Sequence, residues 1–324
     1  MGRKILLVAL TFIFMLFTFA CSSTSRDNGL VESLQETYFE NDQVAGFLNT
    51  FTNQIDITTT YYSFEINQFF GSLIKIDEEK LKLIVLSKIL NMTEEKNLSR
   101  SLAEEKNTIS LAEELKVQFD SDLKNKINNS LEEHLKNELK QTPESDQTTI
   151  NINHQYKLQI HYNYLFINNI LNMKISTPVM NLIKDNLIKV EDNLTQIEQK
   201  SMKAIYYTYF IKKWLEIPIN EKDIIEKLNQ LKLADGSYLF LPVDEQKKIE
   251  INGSEYGDIL STSLANEVLK DINGINNSKN KEKTLEYIDN YLKKNNKSNY
   301  ENSTLYINDL YEVVHLAKIM AYNE

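Results

Sequence analysis

The chain has 324 residues, of which 42% are apolar and 25% charged, with 8 Gly, 4 Pro and a single Cys. That is too apolar and too aromatic for a disordered chain, and long enough for one large domain or two smaller ones. One Cys excludes a disulfide framework and any multi-thiolate metal site, and a net charge of −10 argues against a nucleic-acid partner, which would need a basic face.

At the N-terminus Arg3 and Lys4 precede an apolar run from Ile5 to Phe19, and Ala20-Cys21 follows. A basic start, an apolar stretch and a small residue before the cut are the pattern of a secretory signal, here residues 1–20. The run is shorter than the about 20 residues a membrane-spanning helix needs. Thr18-Phe19-Ala20-Cys21, with Ser22-Ser23-Thr24-Ser25 behind it, resembles the lipobox of bacterial lipoproteins, with Thr18 where Leu is usual. Relaxed boxes of this kind are similar to those of spirochaete lipoproteins. The resemblance implies that Cys21 is diacylated on sulfur and becomes the new, acylated N-terminus. Two or three acyl chains hold a protein firmly where one holds it marginally. Residues 21–29 then read as a lipidated, flexible tether.

The body reads as all-α, a multi-helix bundle. Its expected regions are 30–140 and 153–324, joined by a linker at 141–152, with at most one small β-hairpin near 238–252. Asn41-Asp42 is a candidate cap for a helix carrying Val44, Phe47, Leu48 and Phe51. Leu81, Leu83, Ile84, Leu86, Ile89 and Leu90 fit a helical stripe that opens on Asp77-Glu78-Glu79, acids suited to a helix N-terminus.

Ser110-Leu-Ala-Glu113 has the capping-box pattern, and apolar residues follow every fourth position from Leu111 to Leu139. The spacing predicts either one long helix or two broken near Asn128-Asn129-Ser130. Ser-Leu-Ala-Glu-Glu occurs at 101–105 and again at 110–114, too close for a structural repeat, and nothing else recurs at a fixed period. Gln141–Thr149 is a polar, turn-forming cluster. Ser176-Thr177-Pro178 predicts a helix start and a run towards Ile217, with a break around Asp192-Asn193. Asn220 caps a helix to about Leu233. Residues 238–242 and 248–252 supply the strand pattern, and helices are expected again at about 258–272, 281–294 and 303–322, with Gly274 as a stop.

No nucleophile elbow, zinc-protease helix, phosphate loop or dinucleotide fingerprint is present. His154 and His161 stand seven apart, about 10 Å along a helix, too far to share an ion. His134 and Glu138 have i,i+4 spacing, read as a solvated pair on a charged face in preference to half a metal site. His315 lies within an apolar helix and reads as a core or boundary residue. Tyr206, Tyr207, Tyr209, Phe210 and Trp214 form the densest aromatic cluster, read as core, with an exposed partner patch as the alternative. Seven Lys between 270 and 297 give local positive charge, read as a solvated connection rather than a polyanion site. No catalytic residue, metal ligand or cofactor is expected.

The relaxed lipobox, the Ser/Thr tract and the Asn-, Lys- and Ile-rich helical body resemble the surface lipoproteins of Lyme-disease-type (Borrelia-type) spirochaetes. That resemblance implies outer-membrane display and binding of a host or envelope protein. The expected function is a non-enzymatic, lipid-anchored envelope protein with lipidation at Cys21. Its partners would be a membrane, through the anchor, and an unidentified protein. The alternatives are a periplasm-facing structural or assembly lipoprotein and a carboxylate-dependent hydrolase.

Overall fold

The structure, a computed structural model, describes residues 24–94, 101–141, 152–194, 198–244, 257–272, 278–295 and 303–321. It is an all-α fold of 12 helices with one small antiparallel sheet among the described residues. The chain divides into two compact units. The first holds the described residues up to Asp77, then Ala234–Ser237 and Leu269 onward; the second holds Glu78–Leu233 and Tyr238–Val268. The linker expected at 141–152 falls outside the described residues from 142 to 151, as does Gly274.

The first unit opens with α1 (Thr24–Thr37), so the segment expected to be a flexible tether is helical from Thr24. Leu30 and Leu34, one turn apart, are buried and give this helix an anchored face. Three short strands follow, β1 (Tyr38–Glu40), β2 (Ala45–Asn49) and β3 (Gln54–Ile55), in sheet order β1-β2-β3. The helix expected to carry Val44, Phe47, Leu48 and Phe51 is therefore a strand and a turn. The reason is local. The Asn41 side chain accepts from the Gln43 and Val44 backbone N–H groups, which makes a turn rather than a helix cap. Asn53 takes φ 53° to close the second turn, and Tyr38 pairs with Phe47 and Leu48 with Ile55. Gly46 lets the strands approach, since a Cβ there would lie 2.7 Å from the Ile55 side chain.

Helix α2 (Ile57–Phe69) starts on Asp56, whose carboxylate accepts from the Thr59 N–H and hydroxyl. It packs on the last helix, α12 (Ser303–Ala321), which also packs on α1 and on α11 (Ser278–Lys294). The lysine-rich segment is thus largely helical, and Lys283 donates to the Ala234 carbonyl at 2.7 Å.

The second unit begins with α3 (Glu78–Glu94). Its buried face is Leu81, Val85, Ile89 and Met92, whereas Leu83 and Leu90 of the expected stripe are exposed. Then come α4 (Leu102–Glu114), α5 (Ser121–Gln141), α6 (Ile152–Ile170), α7 (Thr177–Asn193), a single 3₁₀ turn (Glu198–Lys200), α8 (Met202–Trp214), α9 (Glu221–Leu231) and α10 (Ile259–Asp271). The capping residue of α4 is Ser101, not Ser110: the first copy of Ser-Leu-Ala-Glu-Glu starts the helix and the second lies inside it. The helix break lies at 115–120 and not at 128–130. Lys116 adopts φ 56°, Val117 N–H returns to the Ala112 carbonyl, and Asp120 accepts from Leu123 N–H to begin α5.

The same connection recurs twice. Leu115-Lys-Val-Gln-Phe-Asp120, Leu171-Asn-Met-Lys-Ile-Ser176 and Leu215-Glu-Ile-Pro-Ile-Asn220 each pair a left-handed second residue with a cap three residues beyond the returning N–H. The unit is therefore built from helical hairpins α4–α5, α6–α7 and α8–α9. Their first helices stack in order, α4 on α6 and α6 on α8. Where the sequence shows no fixed period, the fold repeats, because the spacing between successive connections varies. The strand pattern at 238–242 yields, among the described residues, single bridges from Tyr238 to Lys232 and Asp258; residues 245–256 lie outside them.

Candidate functional site

The second unit holds the aromatic cluster and three of the four His that sequence reading singled out, on its stacked hairpins. Ser201 caps α8 by accepting from Ala204 N–H. From there Tyr206, Tyr207, Phe210 and Trp214 point at Tyr162 and Phe166 of α6. The Tyr162 ring lies 5.2 Å from Tyr206, 5.2 Å from Tyr207 and 5.3 Å from Trp214, inside the 4.5–7 Å range of favourable aromatic pairs. Tyr206 donates its hydroxyl proton to Glu267 at 2.8 Å and so accepts from Tyr162 at 2.7 Å. Burial, and then the Glu267 charge, push the Tyr206 phenol well above its usual range. Lys106 of α4 covers the Tyr162 and Phe166 faces at 5.8 and 5.3 Å. The aromatic stripe is core, as the periodicity predicts.

His134 departs from expectation. It is buried on the same face of α5 as Ile127 and Leu131, and its Nδ1 stands 2.7 Å from the Oε1 of Glu105 on α4, whose side chain is 1% exposed. Glu138, the partner expected for His134, instead accepts from the Leu102 N–H at the start of α4 and from the Tyr156 hydroxyl at 2.6 Å. Burial and that carboxylate push the Tyr156 phenol up to about 12. The carboxylate that sequence reading missed is Glu105. Its signal was available: it falls on the inward face of α4 with Leu102, Thr108 and Ile109.

His161 is fully enclosed on α6, and neither ring nitrogen has a hydrogen-bond partner among the described residues. Burial, reinforced by the Lys157 charge, holds it neutral down to about 3. His154 is also lowered by burial, with Glu198 opposing the shift. His315 lies in the first unit, half-buried and stacked on Tyr311 at 6.0 Å. Among the described residues no group of three or more His, Cys, Asp or Glu side chains is placed to hold a metal ion.

A cleft of about 460 Å³ in the second unit is lined by Lys200, Gln230, Lys232, Leu239, Pro242 and Asp244 among others, a mixed lining with no convergent catalytic pair. Exposed apolar side chains lie elsewhere. In the first unit these are Phe39, Phe51, Leu73 and Leu305; in the second they are Tyr156, Ile188, and Leu83 and Leu90, which lie two turns apart on α3, 61% and 47% exposed. Cys21 and residues 1–20 before it lie outside the described residues. Among the described residues no helix is long and apolar enough to cross a membrane. No protein-family model matches the chain, and comparison with curated proteins and with solved structures finds no match to either.

Proposed function

We propose that this chain is a lipid-anchored envelope lipoprotein, non-enzymatic, carrying acyl chains on Cys21 and displayed on the outer surface to bind a host or envelope protein. The observation that carries the reading is the single Cys of the chain at position 21, closing a basic-then-apolar leader and opening a Ser/Thr tract. Two further facts support it. The side chains best suited to chemistry are occupied in packing: Glu105 against His134, Glu138 against Tyr156 and Leu102, and the aromatic cluster against itself. The exposed Leu83 and Leu90 on α3 leave apolar surface of the kind a protein partner covers.

The test uses metabolic labelling and intact cells. A fatty-acid label should enter the wild-type chain and be lost in Cys21→Ala, and mass spectrometry should place the acyl groups on residue 21. Protease added to intact cells should remove the body; a protected body would reject surface display. Affinity capture on the body from residue 30 onward, from serum and from envelope extract, should retain a protein. Recovery from neither source would count against the binding role.

A further inference from the structure

We infer that the turn following α2, Phe69–Leu73, is a membrane-facing contact that rests against the bilayer beside the lipid anchor; this builds on the anchor reading above. The direction of the helices in the first unit places it there. The Glu36 carboxylate accepts from the Ser303 hydroxyl at 2.7 Å, which joins the last turn of α1 to the first residue of α12. The two helices also pack on one another, and an antiparallel packing from that joined end carries α12 back along α1 towards Thr24. Helix α2 runs in the same direction as α12: Thr50, just before it, bonds to Thr304, Tyr62 stacks on Tyr311, and Glu65 pairs with Lys318. With the three helices taken as side by side, at 1.5 Å per residue the end of α2 at Phe69 falls about 5 to 10 Å beyond the level of Thr24 at the start of α1. Thr24 stands three positions after Cys21, at most about 10 Å of chain. The acyl chains on Cys21 therefore hold this end of the unit at the lipid surface.

The turn is built for such a contact. Phe69 and Phe70 sit edge to face at 5.1 Å, both half-exposed, and Leu73 is 37% exposed. Gly71 and Ser72 take φ 82° and 63° and turn the chain at the end of the helix. It is held rigidly from beneath. The buried Asn67 side chain donates to the Ile74 carbonyl and accepts from the Ile74 N–H, and Ser72 N–H returns to the Asn67 carbonyl at 2.7 Å. Lys75 follows, exposed, and Asp77, Glu78 and Glu79 come after it, so the contact rests on the apolar side chains and not on attraction to anionic headgroups. Exposed aromatic and apolar side chains on a turn are the composition that settles at a bilayer interface.

The experiment uses the acylated full chain in phosphatidylcholine vesicles containing phosphatidylglycerol. Because Cys21 is consumed by acylation, Leu73→Cys gives one reactive thiol for an environment-sensitive fluorophore. Phe51→Cys is the control, exposed in the same unit at the Ser303 end, about 20 Å further along α12. Brominated acyl chains should quench the label at 73 at least about twofold and leave the label at 51 unchanged. Equal quenching at both positions, in protein that floats with vesicles and carries acyl mass on residue 21, overturns the inference while the anchor stands. An unacylated chain that fails to float overturns the anchor, and the inference falls with it; the mass distinguishes the two cases. Shielding of the label at 73 by rising protein concentration without vesicles would assign the turn to a second copy of the chain instead.

Discussion

In the second unit the rings of Tyr162, Tyr206, Tyr207 and Phe210 close on one another in the interior, with Phe166 and Trp214 at the partly exposed edge; buried His161 lies on α6 with them, and Glu105 and His134 lie in the adjoining α4–α5 hairpin. In the first unit Tyr62 lies flat on Tyr311 at 3.8 Å, with Tyr61 and His315 beside them, and this stack stays half-exposed along α2 and α12. The contrast separates two ways of using aromatic residues. A closed cluster contributes by removing area from water, and truncating it leaves a cavity; a half-open stack loses only the part of its area that was dry. The largest expected effect follows. Phe210→Ala should destabilise the second unit by about 4 kcal/mol, whereas Tyr62→Ala should cost about 2 kcal/mol. Trp214, the single Trp in the chain, packs on Phe210 at 5.4 Å, so its emission in denaturant titrations reads the first variant directly; far-UV circular dichroism reads the second. Equal losses would mean that the two clusters are closed to the same degree.

The ionisable groups sharpen the contrast further. Glu105→Ala leaves His134 buried without its carboxylate and should cost about 3 kcal/mol. Replacing both by Leu should recover most of that loss, because an apolar pair of similar volume needs no partner. A double substitution as unstable as the single one would show that the cost comes from shape and not from the orphaned imidazole.

His161 makes the second unit sensitive to acid. An unfolded chain protonates this imidazole near 6.5, while the folded chain resists until about 3. Between those values the unfolded state binds the extra proton, so stability falls as pH falls, by about 1.4 kcal/mol per pH unit. At pH 5 the penalty is about 2 kcal/mol, and above pH 6.5 it disappears. His161→Leu should match or exceed the wild type at pH 7 and should lack this part of the acid limb, as read by Trp214 emission in urea at each pH. An unchanged pH slope in the variant would place the acid sensitivity elsewhere.

The same contrast explains what the sequence displays and what it conceals. Helix starts are legible where residue chemistry marks them: Asn220 caps α9 with its side chain, and Pro178 sets the first turn of α7 behind Ser176, whose own side chain makes no capping bond; the break after Asn193 also falls where it is expected. The sheet of the first unit is not legible, because β1 and β3 have 3 and 2 residues and no alternation can be read from so few. Phe47 and Leu48, adjacent and apolar, fit a helix stripe as well as a strand. The partner of His134 is concealed for another reason. Spacing along one helix suggests Glu138, whereas burial on α5 selects a carboxylate from α4. The proposed role of Cys21 rests entirely on its neighbours in sequence.

Helix ends are concealed most thoroughly, and they yield the smallest predicted effect. A left-handed residue after a helix is usually Gly, which pays no steric penalty there, and the chain has only 8 Gly. The three recurring connections use Lys116, Asn172 and Glu216 at φ 56°, 50° and 55°. Ser176 with Pro178 marks the second connection and Pro218 with Asn220 the third, but neither Pro nor Gly marks the first, so the break after Leu115 goes unseen while the fourfold apolar spacing runs straight through it. Asn tolerates the left-handed region better than Lys or Glu because its short amide bonds locally to the backbone. Lys116→Gly and Glu216→Gly should therefore each stabilise the second unit by about 1 kcal/mol, offset in part by the greater freedom of Gly in the unfolded chain. Asn172→Gly should gain less than half as much. Thermal midpoints of the three variants, ordered with Asn172→Gly lowest, would show that the repeated hairpin bears the same strain at each turn and relieves it according to the residue that happens to occupy it. A gain at Asn172 as large as at Lys116 would show that the strain belongs to the hairpin geometry and not to the side chain.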